Sequence, residues 1–162
     1  MCRIWICWGK QMKFGWINLF GAVIVLLIMI PNILYALKNK NETEELRVPR
    51  HLTVCEQIGR YGCIILMWLP LMVWKFGFRS NAEFVIYLFF NGLLILAYYI
   101  CWAAYFKQKK LETGMALAII PTTIFLVSAL LLRHWLLASF ALLFGWAHIR
   151  ITYLTHQKYR GY

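Results

Sequence analysis

Charge is scarce in this chain, and acid is scarcer still. Only 14% of the 162 residues are charged and six are Asp or Glu, whereas a soluble domain carries about a quarter charged residues. So few polar groups cannot cover a water-facing surface, which excludes an ordinary soluble fold. Six acids also leave scarcely any material for the paired carboxylates of glycosidases or metal-dependent transferases. No HExxH, no C-x-x-C, no G-x-S-x-G and no phosphate-cradling glycine loop occurs in the sequence. The expectation is therefore no catalytic site, no metal and no cofactor. Cysteine is present but unorganised: Cys2, Cys7, Cys55, Cys63 and Cys101 are an odd set of five. Cys55 and Cys63 would stand about 80° apart around a helix, so inert buried thiols are expected rather than a disulfide framework.

What the chain has instead is apolar length. It is 62% hydrophobic and 17% aromatic, in runs that match the roughly 20 residues needed to cross a bilayer. The first is "FGWINLFGAVIVLLIMIPNILYAL", 14–37, with Pro31 expected to kink its far end. Further runs cover 54–78 and 83–106. The stretch from Thr113 to Thr155 is too long for one span, and Arg133-His134 is the charged break near its middle, so it divides into 113–132 and 134–155 around a tight turn. The reading is an all-α polytopic membrane protein, a bundle of five transmembrane helices forming one integral membrane domain over 1–162.

The net charge of +11 does not indicate nucleic acid. Basic residues sit in short loops at the ends of the apolar runs, where the positive-inside bias puts them, and no basic stripe interleaves with aromatics. Eleven of the 17 Lys and Arg residues fall on the side holding 38–51, 107–110 and the C-terminus, and six fall opposite. The richer side should be cytoplasmic, giving N-terminus outside and C-terminus inside in a bacterial cytoplasmic membrane, with lipids as the first partners. "MKFGWINLF" from Met12 reads as a natural start, and initiation there would sharpen the bias. Mass spectrometry of the native N-terminus checks this; a peptide containing Cys2 or Cys7 refutes it.

"TVCEQIGR" at 53–60 carries the densest chemistry. T-x-x-E is a capping box, with Thr53 as the cap and Glu56 in the first helical turn near water. Glu56 and Arg60 form an i,i+4 pair in the favoured order. Asn32 after Pro31, Glu56, Arg60 and Tyr61 at the start of the second helix, and His148 and Arg150 near the end of the fifth all fall at the cytoplasmic side. If helices one, two and five are neighbours, these six residues make a polar pocket, in which Arg60 and Arg150 could hold a phosphate or carboxylate. His148 has no second histidine at a ligand spacing on its helix, so it is expected as a hydrogen-bonding group and not a metal ligand. On the outer side Glu83 is expected to pair with Arg79, four residues back. Ala141 and Gly145 form a small-x-x-x-small pair suited to close helix contact and to a homo- or hetero-oligomer.

The segments "FGWINLFGAVIVLLIMIPNILYALKNK" and "EQIGRYGCIILM", spanning 14–68, resemble small multi-pass membrane proteins of Firmicutes-type bacteria, a group with no established activity. Five helices in about 160 residues is also similar in architecture to the translocator-protein (TspO) family of porphyrin and sterol binders, whose K-P-x-W-x-P-P stretch is absent here. The functional expectation is binding or movement of a small amphipathic or anionic ligand at the cytoplasm-facing cluster. The alternative is a non-catalytic partner or structural subunit of a membrane complex.

Overall fold

The computed structural model describes residues 12–13, 18–38, 48–69, 71 and 77–160; the first eleven residues, where the question of the start lies, fall outside that set. Five helices follow one another: α1 (Leu19–Lys38), α2 (Arg50–Trp68), α3 (Asn81–Lys107), α4 (Leu111–Leu131) and α5 (Trp135–Arg160). A two-residue antiparallel ladder, β1 (Met12–Lys13) with β2 (Gly77–Phe78), sits at one end. The fold is all-helical, and four of the helices, α1, α3, α4 and α5, are long and apolar enough to cross a membrane. The fifth, α2, is not among them.

Each helix begins and ends for local reasons. Asn18 caps α1: its Oδ1 accepts from the Gly21 amide at 3.1 Å and its carbonyl from the Ala22 amide at 3.0 Å, so α1 starts at Leu19; residues 14–17 of the expected run lie outside the described residues. Its own amide donates to Trp68 O at 2.8 Å, which fastens the start of α1 to the end of α2. Pro31 cannot donate to Leu27 O, and the Tyr99 hydroxyl of α3 supplies that hydrogen bond at 2.9 Å.

The capping box expected at Thr53 does not exist. α2 starts at Arg50 with Pro49 in the cap position and no side-chain cap bond. The Leu52 and Thr53 amides donate to Pro49 O, which leaves Thr53 already inside the helix. A related side-chain cap lies at 80–83, "SNAE": Ser80 Oγ accepts from the Glu83 amide at 3.2 Å, while Glu83 Oε2 accepts from the amide of Arg79, one residue before the cap, at 2.8 Å. The Glu83 carboxylate therefore takes the Arg79 backbone, and its ionic partner is Arg133, at 2.6 Å. α2 also ends at Trp68, ten residues short of the expected run.

The turn between α4 and α5 falls at Arg133-His134. Arg133 adopts a left-handed φ of 54°. The His134 amide donates to Ala129 O and the Arg133 amide to Leu130 O, the Schellman closure of a helix end. His134 then caps α5, with Nδ1 accepting from the Leu137 amide at 3.0 Å. That bond needs a lone pair on Nδ1, and burial holds the His134 imidazole below its ordinary value. The unfolded chain takes up the proton near 6.5, so the stability from a neutral His134 is present above that pH and is lost as pH falls below it. The melting temperature of the wild type should drop on acidification more than that of His134→Asn, which keeps a capping acceptor without titrating. Equal acid sensitivity would refute this role.

The helices close into a ring in the order α1-α2-α5-α4-α3, with α3 returning to α1. Facing residues fix the directions. Phe20 meets Phe84 and Tyr35 meets Tyr105, so α1 and α3 run parallel. Gly59 lies on Phe144 and Gly62 on Phe140, so α2 and α5 run antiparallel. Gly59 permits the closest approach: a Cβ there would stand 2.7 Å from the Phe144 backbone. Ala141 and Gly145 face inward. Ala141 is fully buried and Gly145 lies against Thr122 of α4, so this small pair serves packing inside the bundle and is not an exposed interface.

The exterior is apolar all the way round, α2 included. Val54, Ile58, Tyr61, Ile65 and Trp68 are exposed along one stripe of α2, while Glu56, Gly59 and Cys63 are buried on the other. The low hydropathy of α2 comes from Arg50 and His51, exposed at its start, together with buried Glu56 and half-buried Gln57 and Arg60.

Candidate functional site

The ring encloses a cavity of about 310 Å³ to which all five helices contribute. Its walls are mostly apolar, from Val25, Ile28 and Met29 on α1, Leu117, Pro121 and Phe125 on α4, and Phe144 on α5. Four polar side chains interrupt them: Asn32 of α1, Arg60 of α2, Tyr98 of α3 and His148 of α5. At about 30 Å³ per water-sized group, the space suits roughly ten such groups.

Glu56 organises the polar side. It is 3% exposed, contrary to the water-facing first-turn position expected for it, because α2 begins six residues earlier and turns this face onto α5. The Arg60 guanidinium, one turn on, donates to its Oε1, and His148 Nδ1 lies 3.3 Å from the same oxygen. Phe144, a turn before His148, stacks on the imidazole at 4.9 Å between centroids and 18° between planes. The ring is thus held by a carboxylate at one edge and an aromatic face below. Across the cavity Asn32 Nδ2 donates to Ile28 O at 2.9 Å and to Tyr98 Oη at 2.8 Å. This fixes the amide nitrogen and leaves the Asn32 carbonyl oxygen as the group to meet a ligand donor.

Of the six residues expected to converge, four are brought together: Asn32, Arg60 and His148 in the wall, and Glu56 behind them. Two are not. Tyr61 is 59% exposed on the outer stripe of α2, and Arg150 is exposed on α5 outside the cavity lining. The anticipated pair of arginines is therefore replaced by Arg60 with His148. The reason is helical phase: 148 and 150 stand about 200° apart around α5. Tyr98 and Phe144 were not anticipated. Tyr98 carried a faint signal as one of several tyrosines in the third apolar run, but its partner Asn32 is 66 positions away.

The cavity has a side opening. α1 meets α3 along its whole length, from Phe20–Phe84 through Asn32–Tyr98 to Tyr35–Trp102. It touches α2 near its own start, through Asn18–Trp68 and Gly21–Met67. Beyond Pro31 the α1 residues Asn32, Ile33 and Ala36 both line the cavity and are exposed. Ile33 and Ala36 of α1 and Arg60 and Ile64 of α2 all belong to the lining. No group of three or more potential metal ligands occurs among the described residues.

Comparison with known proteins returns no matching family model, no matching curated protein and no matching solved structure.

Proposed function

We propose that this protein is a five-span membrane protein that binds, and by extension moves, a small anionic amphipath in the central cavity. The observation that carries the reading is a mostly apolar cavity of about 310 Å³, lined by all five helices, whose wall carries Arg60 and His148. Arg60 spends one side of its guanidinium on Glu56 and retains donors for a carboxylate, sulfonate or phosphate head. The apolar body of the ligand lies along Val25, Ile28 and Phe125, and the exposed lining residues of α1 beyond Pro31 mark its path to and from the bilayer. The inward-turned polar face and outward apolar stripe of α2 support counting it as the fifth span. At about 1.5 Å per residue, its 19 residues match a hydrocarbon core of about 30 Å.

The end bearing Lys38, Arg50, Lys107 and Lys110 faces the cytoplasm by the positive-inside bias, in a bacterial cytoplasmic membrane. A cytoplasmic reporter fused after residue 157 should be active and a periplasmic one silent; the reverse pattern overturns the orientation. The binding test uses purified protein in nanodiscs, titrated with decanesulfonate and with decanol. Saturable one-to-one binding of the sulfonate, at least about tenfold tighter than the alcohol, is expected, since a charge-assisted contact contributes about 1.5–3 kcal/mol. Equal binding of both, or of neither, refutes it.

One observation favours a second reading, a non-catalytic structural subunit: Glu56, Arg60 and His148 already satisfy one another. Such a triad could exist only to hold α2 on α5.

A further inference from the structure

We infer that an anion occupying this cavity brings one proton with it, taken up by His148, so that ligand and proton bind as an electrically neutral pair. The inference rests on the ligand-binding reading and adds a second ligand, the proton, to the same site.

The argument is charge balance in a cavity whose walls are mostly apolar. The groups facing His148 are Glu56 and Arg60 from α2, Asn32 from α1, Tyr98 from α3, only apolar side chains from α4, and Phe144 from its own helix. Arg150 is exposed and outside the lining. Glu56 and Arg60 cancel, so with a neutral imidazole the site sums to zero. Adding an anion leaves an uncompensated negative charge among apolar walls, which is strongly unfavourable. Among the side chains lining the cavity, the imidazole of His148 is the one with a ring nitrogen able to accept a proton. A proton from solvent on His148 restores neutrality and sets the imidazolium between two anions, Glu56 and the ligand.

Hydrogen-bond roles lead to the same result. Glu56 engages Nδ1 at 3.3 Å, which favours the tautomer with the proton on Nδ1. The neutral ring then carries a lone pair on Nε2, which repels an anionic oxygen, whereas the protonated ring donates from both nitrogens. The stacked Phe144 ring, at 4.9 Å, holds the imidazole plane fixed and tolerates the added cation on its face.

The experiment is isothermal titration of decanesulfonate into wild-type protein in nanodiscs, in two buffers of different ionisation enthalpy at neutral pH. The sulfonate stays ionised throughout, so any proton uptake belongs to the protein. The expected result is uptake of close to one proton per ligand, with Kd weakening about tenfold per pH unit on the alkaline side, as one-proton linkage requires. His148→Gln should bind at least about tenfold more weakly, without uptake. Normal wild-type binding with no buffer dependence overturns the proton link and leaves the binding reading intact; absence of wild-type binding overturns the binding reading itself. The wild-type measurements decide the question even if a variant does not fold.

Discussion

Gly59→Ala should destabilise the protein, although alanine is the better helix former. A Cβ at position 59 would stand 2.7 Å from both the backbone nitrogen and the Cα of Phe144. Backbone cannot rotate out of the way, so α2 and α5 must separate along the contact that also joins Glu56 to His148. Overpacking of this kind costs about 1–3 kcal/mol, against the roughly 0.5–1 kcal/mol that replacing a mid-helix glycine returns. Gly92 is the internal control. It sits in the middle of α3 with nothing within 4 Å of the place a Cβ would occupy, so Gly92→Ala should raise stability by that smaller amount. Thermal unfolding in detergent reads both; a neutral or stabilising Gly59→Ala would mean that α2 and α5 are not held in so close a contact. Because Phe144 lines the cavity and stacks on His148, the substitution should also weaken ligand binding.

The contrast between these two glycines marks what the sequence can and cannot disclose. Five helices were legible because apolar length and charged breaks are local signals. Arg133-His134 lies in the turn between α4 and α5 because a lone charged pair inside a long apolar run has few other places to go. Helix ends were less legible, since they depend on which of several polar residues captures an amide. Asn18 took α1 from within an apolar run, and Pro49 displaced Thr53 by offering its carbonyl first. The same pattern, S/T-x-x-E, forms a side-chain cap at 80–83 and none at 53–56. The difference lies upstream, in whether the chain is already helical when it reaches the hydroxyl.

The site was legible in kind but not in membership. Glu56 and Arg60 could be found from their spacing, and the stripe Val54, Ile58, Tyr61, Ile65 and Trp68 already places Tyr61 on the opposite face from Glu56. Read as a helical wheel, that stripe also points the acid inward. What covers Glu56 was not legible, since that follows from α5 lying against α2 with His148 at the matching height. The cavity was not legible either. It arises from the order of the ring and from α1 following α3 instead of α2 after Pro31, which depend on side chains such as Tyr98, Tyr99 and Trp102 far along the chain.

Glu56→Leu, alone and combined with Arg60→Leu, separates a binding site from structural glue. Alone it leaves the Arg60 guanidinium without its carboxylate. Breaking a buried pair costs about 3–5 kcal/mol; because the Arg60 side chain is 39% exposed, solvent screening reduces this to about 1–3 kcal/mol. Adding Arg60→Leu removes the orphaned cation, and paired charges exchanged for apolar side chains of similar volume are often neutral or stabilising. The double variant should therefore melt at or above the single one and close to wild type. Its cavity would hold no arginine, so decanesulfonate affinity should fall by at least about tenfold, the loss of one charge-assisted contact. Stability recovered with binding lost means that the pair is kept for the ligand. If the double variant instead melts well below Glu56→Leu, the charges hold α2 on α5 by themselves, and the structural-subunit reading prevails.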